Sequence, residues 1–417
     1  MAKTKYIQDF HDIEVPENWQ VKKLKTIMKE GRLGGNYENA EANTGIPVIK
    51  MGNLDRGTIK IDKVQYLPKG ESYNNKDVLT DGDLLFNTRN TLELVGKVAV
   101  WNNELPFAVY NSNLLRIKFD STFVESNWFM NYAFNSEYGL RQLKAIATGT
   151  TSVAAIYGKD LESIKFLLPP LPEQKVIASM FRIWDKAVRK TEQLIVQKKQ
   201  RKKWMMQQLF SGKKRLKGFG KANYKKVALD EILTPIRNPL IPEEKTLYQQ
   251  IGIRSHGKGI FHKELVSGKD LGNKRVFWIE PNCLVINIVF AWEQAIAKTT
   301  ELEIGMIASH RFPMFKPTEG KLNLDYILYY FKSPRGKQLL VNASPGGAGR
   351  NKTLGQNEFI NQFISLPTLE EQTAISQVLQ AADKEISLLK AKVEKLREQK
   401  KGLMQQLLTG RVRLKID

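Results

Sequence analysis

LPPLPEQKVIASMFRIWDKAVRKTEQLIVQKKQRKKWMMQQLFSGKKRLK, from Leu168 to Lys217, returns late in the chain as LPTLEEQTAISQVLQAADKEISLLKAKVEKLREQKKGLMQQLLTGRVRLK, from Leu366 to Lys415. The offset is 198 residues throughout, without a gap, and 18 of the 50 aligned positions are identical. The shared anchors include Glu173-Gln174 with Glu371-Gln372, Asp185-Lys186 with Asp383-Lys384, and Met206–Leu209 with Met404–Leu407. Chance does not align so many charged, amide and apolar residues together. The chain is a tandem duplication.

Each copy reads as one long helix. Proline ends the preceding segment, Glu-Gln sits in the first turn where the helix dipole favours acid, and Gly212 or Gly410 closes it. The apolar register of the first copy is Ile177, Phe181, Trp184, Val188, Ile195, Met205 and Leu209, with Thr191, Lys198 and Lys202 at the intervening seam positions. The second follows with Ile375, Leu379, Ala382, Ile386, Leu389, Val393, Leu396, Leu403 and Leu407, with Lys400 between. Steps alternating four and three are the seam of a coiled coil. A stripe of this kind is ordinarily core packing, and two such helices in one chain would most simply pack on each other.

Ahead of each helix lies a region of about 150 residues with mixed strand and helix signals, so the fold class is α+β with an internal pseudo-two-fold repeat. In the first region, 46–51, 83–87, 98–101 and 114–118 read as strands, and Phe123 to Leu143 as a helix. In the second, 284–288 and a segment ending at 314–316 read as strands, and Asp325 to Leu340 as a helix. The globular regions share layout much more than residues, which suits two domains reading different targets from one scaffold.

Composition narrows the partner. Lys plus Arg number 65 against 43 acids, a net charge of +22. A charge that large implies a polyanion, because neutralising phosphates releases condensed counterions. Between Gln193 and Leu229 no acid occurs, while twelve lysines and arginines do. No run of 18 apolar residues exists to span a membrane, and the start lacks the apolar core of a secretory signal. Cys283 is the one cysteine, which excludes an internal disulfide and a cysteine-cage metal site, and the four histidines show no ligand spacing. A reducing cytoplasm fits best.

Several strings, taken in order, resemble the specificity subunit of type I restriction-modification systems. They are GDLLFNTRN (82–90), TGTTSVAAIYGKDL (148–161), LPPLPEQKVIA (168–178), SHRFPMFKP (309–317), PGGAGRNKTL (345–354) and LPTLEEQTAI (366–375). The resemblance covers nearly the full length. It implies two α/β target recognition domains in tandem (1–165 and 218–363), each reading one half of a bipartite site in double-stranded DNA. It also implies two helical regions (166–217 and 364–417) that pair as an antiparallel coiled coil, set the distance between half-sites and dock modification subunits, two by expectation. S-adenosylmethionine would sit on those subunits, and ATP and Mg on restriction subunits where these join. No cofactor, metal or catalytic residue is expected in this chain. The residues agree: there is no G-x-x-x-x-G-K-[ST], no Asn-Pro-Pro-aromatic motif and no Pro-Asp dipeptide of the nuclease kind. Two other readings stand beside it, a coiled-coil adaptor binding nucleic acid without sequence preference, and a self-contained nuclease or methyltransferase.

Base reading needs paired donors or acceptors, Arg for guanine and Asn or Gln for adenine. In the first domain Thr88, Arg89 and Asn90 follow a strand and are the leading candidates; the alternative is a turn with a solvated arginine. Thr148, Gly149, Thr150, Thr151 and Ser152 would let backbone approach phosphate, or form an ordinary loop. Lys97 and Lys159 are candidate phosphate contacts or plain surface. In the second domain the sharpest signal is Gly346, Gly347, Gly349, Arg350, Asn351 and Lys352, glycines for close approach and donors at the tip. Arg254, His256 and Lys258 come next, with His310 and Arg311. Trp292 is a stacking candidate, or a core residue.

Overall fold

Pro172 fits the first turn of a helix, where its missing N–H has no carbonyl to bond, and the chain past it runs as one helix, Leu171–Phe210. Its repeat, Leu369–Leu407, follows the strand Phe363–Leu366 in the same way. Gly212 and Gly410 end the two helices at φ +69° and +72°, the left-handed conformation in which a side chain would be strained. The structure, a computed structural model, describes residues 6–10, 13–220, 223–346 and 352–414.

Contacts divide the chain into two compact units, Met1–Thr191 with Lys392–Asp417, and Glu192–Ala391. Each unit holds the start of one long helix and the end of the other, running antiparallel. In the first, Arg413 donates Nε and Nη2 to the two oxygens of Glu173 at 2.6 and 2.7 Å, and Lys400 donates to Asp185. In the second, Arg215 grips Glu371 through Nε and Nη2, and Lys202 donates to Asp383 at 2.6 Å. Residues 173 and 371, 185 and 383, 202 and 400, and 215 and 413 are counterparts under the 198-residue offset. The charged identities of the repeat are therefore halves of reciprocal ion pairs.

Both glutamates are buried, their side chains 1% and 0% exposed. Each aspartate also accepts from a tyrosine of the adjoining domain, Tyr132 on Asp185 and Tyr329 on Asp383, both at 2.7 Å. Burial and the neighbouring carboxylate hold both phenols well above the usual tyrosine range. The glutamines of the Glu-Gln pair anchor the helix starts: Gln174 donates to the Phe123 and Pro169 carbonyls, Gln372 to those of Lys321 and Pro367. Every seam position read from the sequence is buried or half-buried. Ile177 and Phe181 join Leu407 in one domain core, and Ile375 and Leu379 join Leu209 in the other. A fully buried side chain of that size contributes about 1.5–3 kcal/mol, so the helices are part of each core.

The domains repeat one plan. In the first, a four-stranded antiparallel sheet orders Met28–Leu33, Leu114–Phe119, Leu84–Asn87 and Val98–Val100. In the second the order is Leu233–Ile236, Met314–Pro317, Leu284–Ile286 and Ile296–Lys298. Each domain closes by pairing an early strand with the strand before the long helix, Gln20–Lys23 with Lys165–Leu168, and Lys225–Ala228 with Phe363–Leu366. No helix among the described residues is long and apolar enough to cross a membrane.

Two helix expectations need correction. The segment from Phe123 to Leu143 is two helices, Asn127–Phe134 and Glu137–Ile146. Ser136 breaks it, its hydroxyl donating to the Ala133 carbonyl and accepting from the Gly139 N–H, which offers the backbone an alternative to the helical ladder. The segment from Asp325 to Leu340 likewise splits into Leu324–Lys332 and Pro334–Asn342, with Ser333 in the same role and Pro334 unable to continue the first helix. The strand expected over 284–288 stops at Ile286, because Asn287 Oδ1 accepts from the Val289 N–H and turns the chain.

Candidate nucleic-acid interface

In the first unit Asn87 ends its strand fully buried, and its Oδ1 accepts from the Arg89 N–H at 3.1 Å. That turn throws Thr88, Arg89 and Asn90 out of the central sheet, while Thr88 donates N–H and hydroxyl to the Asn113 carbonyl, both at 3.0 Å. Arg89–Asn90 then pairs with Ala154–Ala155, which pairs with Thr148–Gly149. The two candidate segments, 88–90 and 148–152, are thus brought together in one small three-stranded sheet. Arg89 and the whole of 148–152 are exposed, and Val153 at the hairpin is 68% exposed.

Gly149 sits at φ +128°, and a Cβ there would lie 2.3 Å from the Val153 carbonyl oxygen. Gly149→Ala is therefore expected to destabilise the hairpin by about 1–3 kcal/mol. Amide exchange would show it as lost protection over 148–155 with the central sheet unchanged. The two lysines part company. Lys97 is turned to Asp55 at 3.6 Å and is 15% exposed, whereas Lys159 is exposed on the short helix Gly158–Ser163.

In the second unit Arg254, His256 and Lys258 occupy the turn between the paired strands Leu247–Ile253 and Ile260–Ser267. The Arg254 guanidinium lies 4.8 Å over Phe261 and donates to the Ile260 carbonyl. His256 adopts φ +60°, its N–H on the Glu293 carbonyl at 2.7 Å, and Lys258 is exposed. His310 and Arg311 are exposed just after the strand Ile307–Ser309. Lys352 places its ammonium 5.9 Å from the half-buried Trp292 ring, and Gly346 is exposed at φ +147°. Gly347, Gly349, Arg350 and Asn351 lie outside the described residues.

The two domains share a frame of hydrogen bonds. Asn87 and Asn287 each accept from the N–H two residues on. Each domain then sends one N–H to a neighbouring loop, Thr88 to Asn113 and Ile288 to Arg311, and receives one in return, Ile156 on Thr88 and Leu354 on Ile288. The side chains presented around this frame differ: Arg89 and Asn90 in one, Val289 and Phe290 in the other.

A cavity of about 170 Å³ adds two residues that sequence reading missed, Arg237 and Arg275, which line it with His310, Phe277, Phe312 and Gln356. They come from separate strand ends, and no local motif announces them. Cys283 is buried, and burial pushes its thiol up to about 11, which suits packing rather than nucleophilic work.

The model of the type I restriction modification DNA specificity domain matches this chain twice, over residues 16–198 and 222–398. A Methanocaldococcus jannaschii protein provisionally named the type I restriction enzyme MjaX specificity subunit is 26% identical over 419 residues, covering 96% of this chain and 95% of that one. The type I restriction enzyme MjaVIII specificity subunit of the same organism is 24% identical over 452 residues, covering 99% and 97%. The crystal structure of a type I restriction-modification S subunit from M. genitalium has the same fold, with a TM-score of 0.54 at 13% identity over 99% of both chains. With its duplicated helices, reciprocal ion pairs and two framed domains, the chain belongs to the type I restriction-modification DNA specificity family.

Proposed function

We propose that this chain reads a split DNA site, one half through each target recognition domain (1–165 and 218–363). Regions 166–217 and 364–417 join the domains and dock the methyltransferase subunits, and restriction subunits where the assembly includes them. Methyl transfer belongs to those partners. The observation that carries this reading is the repeated frame with different side chains on it: one scaffold twice, presenting two unlike surfaces. We assign base reading first to Thr88, Arg89 and Asn90, with phosphate approach at 148–152 and Lys159. In the second domain we assign it to Arg254, His256, Lys258, His310, Arg311 and the segment 346–352, with Arg237 and Arg275 added.

Selection from a random duplex library tests this directly. The expected result is a motif in two parts separated by unspecified bases; enrichment without any motif would favour a nonspecific adaptor. Binding should also be steep in salt. A protein making 6–10 phosphate contacts loses about 10³–10⁵ in affinity between roughly 50 and 200 mM salt, and a flat response would contradict a large basic interface. Saturable binding of S-adenosylmethionine to the purified chain, measured by calorimetry, would overturn the assignment of methyl transfer to partners.

A further inference from the structure

Within the second unit, two adjoining cavities of about 390 and 260 Å³ open between the end of the first long helix and the break at Ser333-Pro334. Lys199, Lys202 and Lys203 line one side of the larger cavity, Lys332 and Lys337 the other. Lys213 and Arg335 extend the lining into the smaller, which shares Met206, Ser333 and Pro334 with it. Of these seven cations, Lys202 alone has a carboxylate partner among the described residues, Asp383. The crowding is physical: burial and the neighbouring Lys202 hold Lys332 below the usual lysine range.

Packing does not require the charges beside Ser333, and the first unit provides the control. There Ser136 makes the same two hydrogen bonds as Ser333. Aligned on that serine, Lys332, Arg335 and Lys337 correspond to Asn135, Tyr138 and Leu140, and Pro334 to Glu137. Glu137 accepts from Gln405 and pairs with Arg141. The scaffold contacts and the helix cations are duplicated, Lys199, Lys202, Lys203 and Lys213 matching Arg397, Lys400, Lys401 and Arg411; the three cations beside Ser333, which close the groove, are not.

Its position and composition indicate the occupant. The Lys332 stem crosses Gly257, where a Cβ would meet its Cγ at 2.8 Å. Gln294, which lines the groove, accepts the Gly257 N–H through its carbonyl at 2.8 Å. The groove therefore borders the Arg254–Lys258 turn. Protein interfaces favour arginine and are depleted in lysine, whereas lysine meets phosphate as a point charge. Six lysines to one arginine suit a solvated phosphate chain better than an acidic protein surface.

We propose that this groove seats the phosphate backbone of the DNA duplex that the second domain reads, without regard to sequence; the proposal rests on the function argued above. In the full chain, the triple variant Lys199→Gln, Lys203→Gln, Lys337→Gln removes three exposed charges and spares the Lys202–Asp383 pair. Fluorescence anisotropy across a salt series, on duplexes with and without the selected motif, reads the number of phosphate contacts. Each lost contact lowers the slope of log K against log salt by about 0.9, so the triple variant should lose about 2 to 3, with the ranking of duplexes unchanged. A control of equal charge, Lys384→Gln, Lys390→Gln, Lys395→Gln, should keep the wild-type slope. Lys337→Gln alone should lose about one, and it stands in if the triple variant folds poorly. Equal slopes in groove and control variants would overturn the proposal. So would a changed ranking of sequences, or a normal slope with weakened methyltransferase-subunit binding, the mark of an acidic protein site. A wild-type chain that selects no motif but shows the slope difference would sink the functional reading and leave the groove standing.

Discussion

Replacing Arg413 by alanine should destabilise the first unit by about 3–5 kcal/mol, the loss typical when one partner of a buried ion pair is removed. Glu173 is 1% exposed and would keep only the Trp19 indole N–H, at 3.2 Å, of the side-chain donors it now has. The carboxylate would then be an uncompensated buried charge, and its desolvation rather than the lost attraction sets the size of the effect. Urea denaturation should show the midpoint fall, with Glu173→Gln in the Arg413→Ala background recovering part of it. Arg215→Ala should do the same to the second unit through Glu371, which is fully buried. Arg397→Ala, at the exposed pair with Glu394, should change stability by no more than about 1 kcal/mol. Equal effects at Arg413 and Arg397 would mean that burial of the glutamate contributes nothing.

Exchanging residues 222–350 for a divergent domain of the same family should change one half of the recognised motif and leave the other untouched. The exchanged segment carries the Arg254–Lys258 turn, Arg237, Arg275, His310 and Arg311. Arg215, Glu371, Lys202 and Asp383, which pair the two helical regions within the second unit, stay in place. Each good bidentate base contact discriminates by about 1–3 kcal/mol, so three or four changed contacts suffice to rewrite a half-site. The readout is the motif from library selection, or the methylated bases mapped in cells carrying the chimaera. Alteration of both halves would show that the domains do not read independently.

The duplication, the two long helices and their seam were legible because an apolar stripe and a gapless repeat are local patterns. The same repeat displayed Glu173, Asp185, Lys400 and Arg413 as identities but not as partners. Antiparallel pairing joins the start of one copy to the end of the other, and no local spacing encodes that. The central strands were legible from their apolar runs, whereas the helix break at Ser136 was not, since a serine inside an apolar pattern equally well faces solvent. The candidate surface was legible in part. Arg89 and the 148–152 segment are separated by some sixty residues and meet only through strand pairing. Arg237 and Arg275 reach His310 from separate strand ends, so their grouping exists only in three dimensions. The equivalence of Asn87 and Asn287 was hidden because the residues around them differ and only the hydrogen bonds agree.

The make-up of the two units has a consequence for synthesis. The second unit is one continuous stretch, Glu192–Ala391, while the first needs Lys392–Asp417 as well as Met1–Thr191. A ribosome adding about 5–20 residues per second takes roughly 10–40 s to cross the intervening stretch. During that interval Glu173 and Asp185 lack Arg413 and Lys400, and Leu407 has yet to cover Ile177 and Phe181. A chain cut short before Lys392 would hold a whole second unit and a first whose apolar helix face still meets water, a surface for chaperones or aggregation. The half that emerges first is the half completed last.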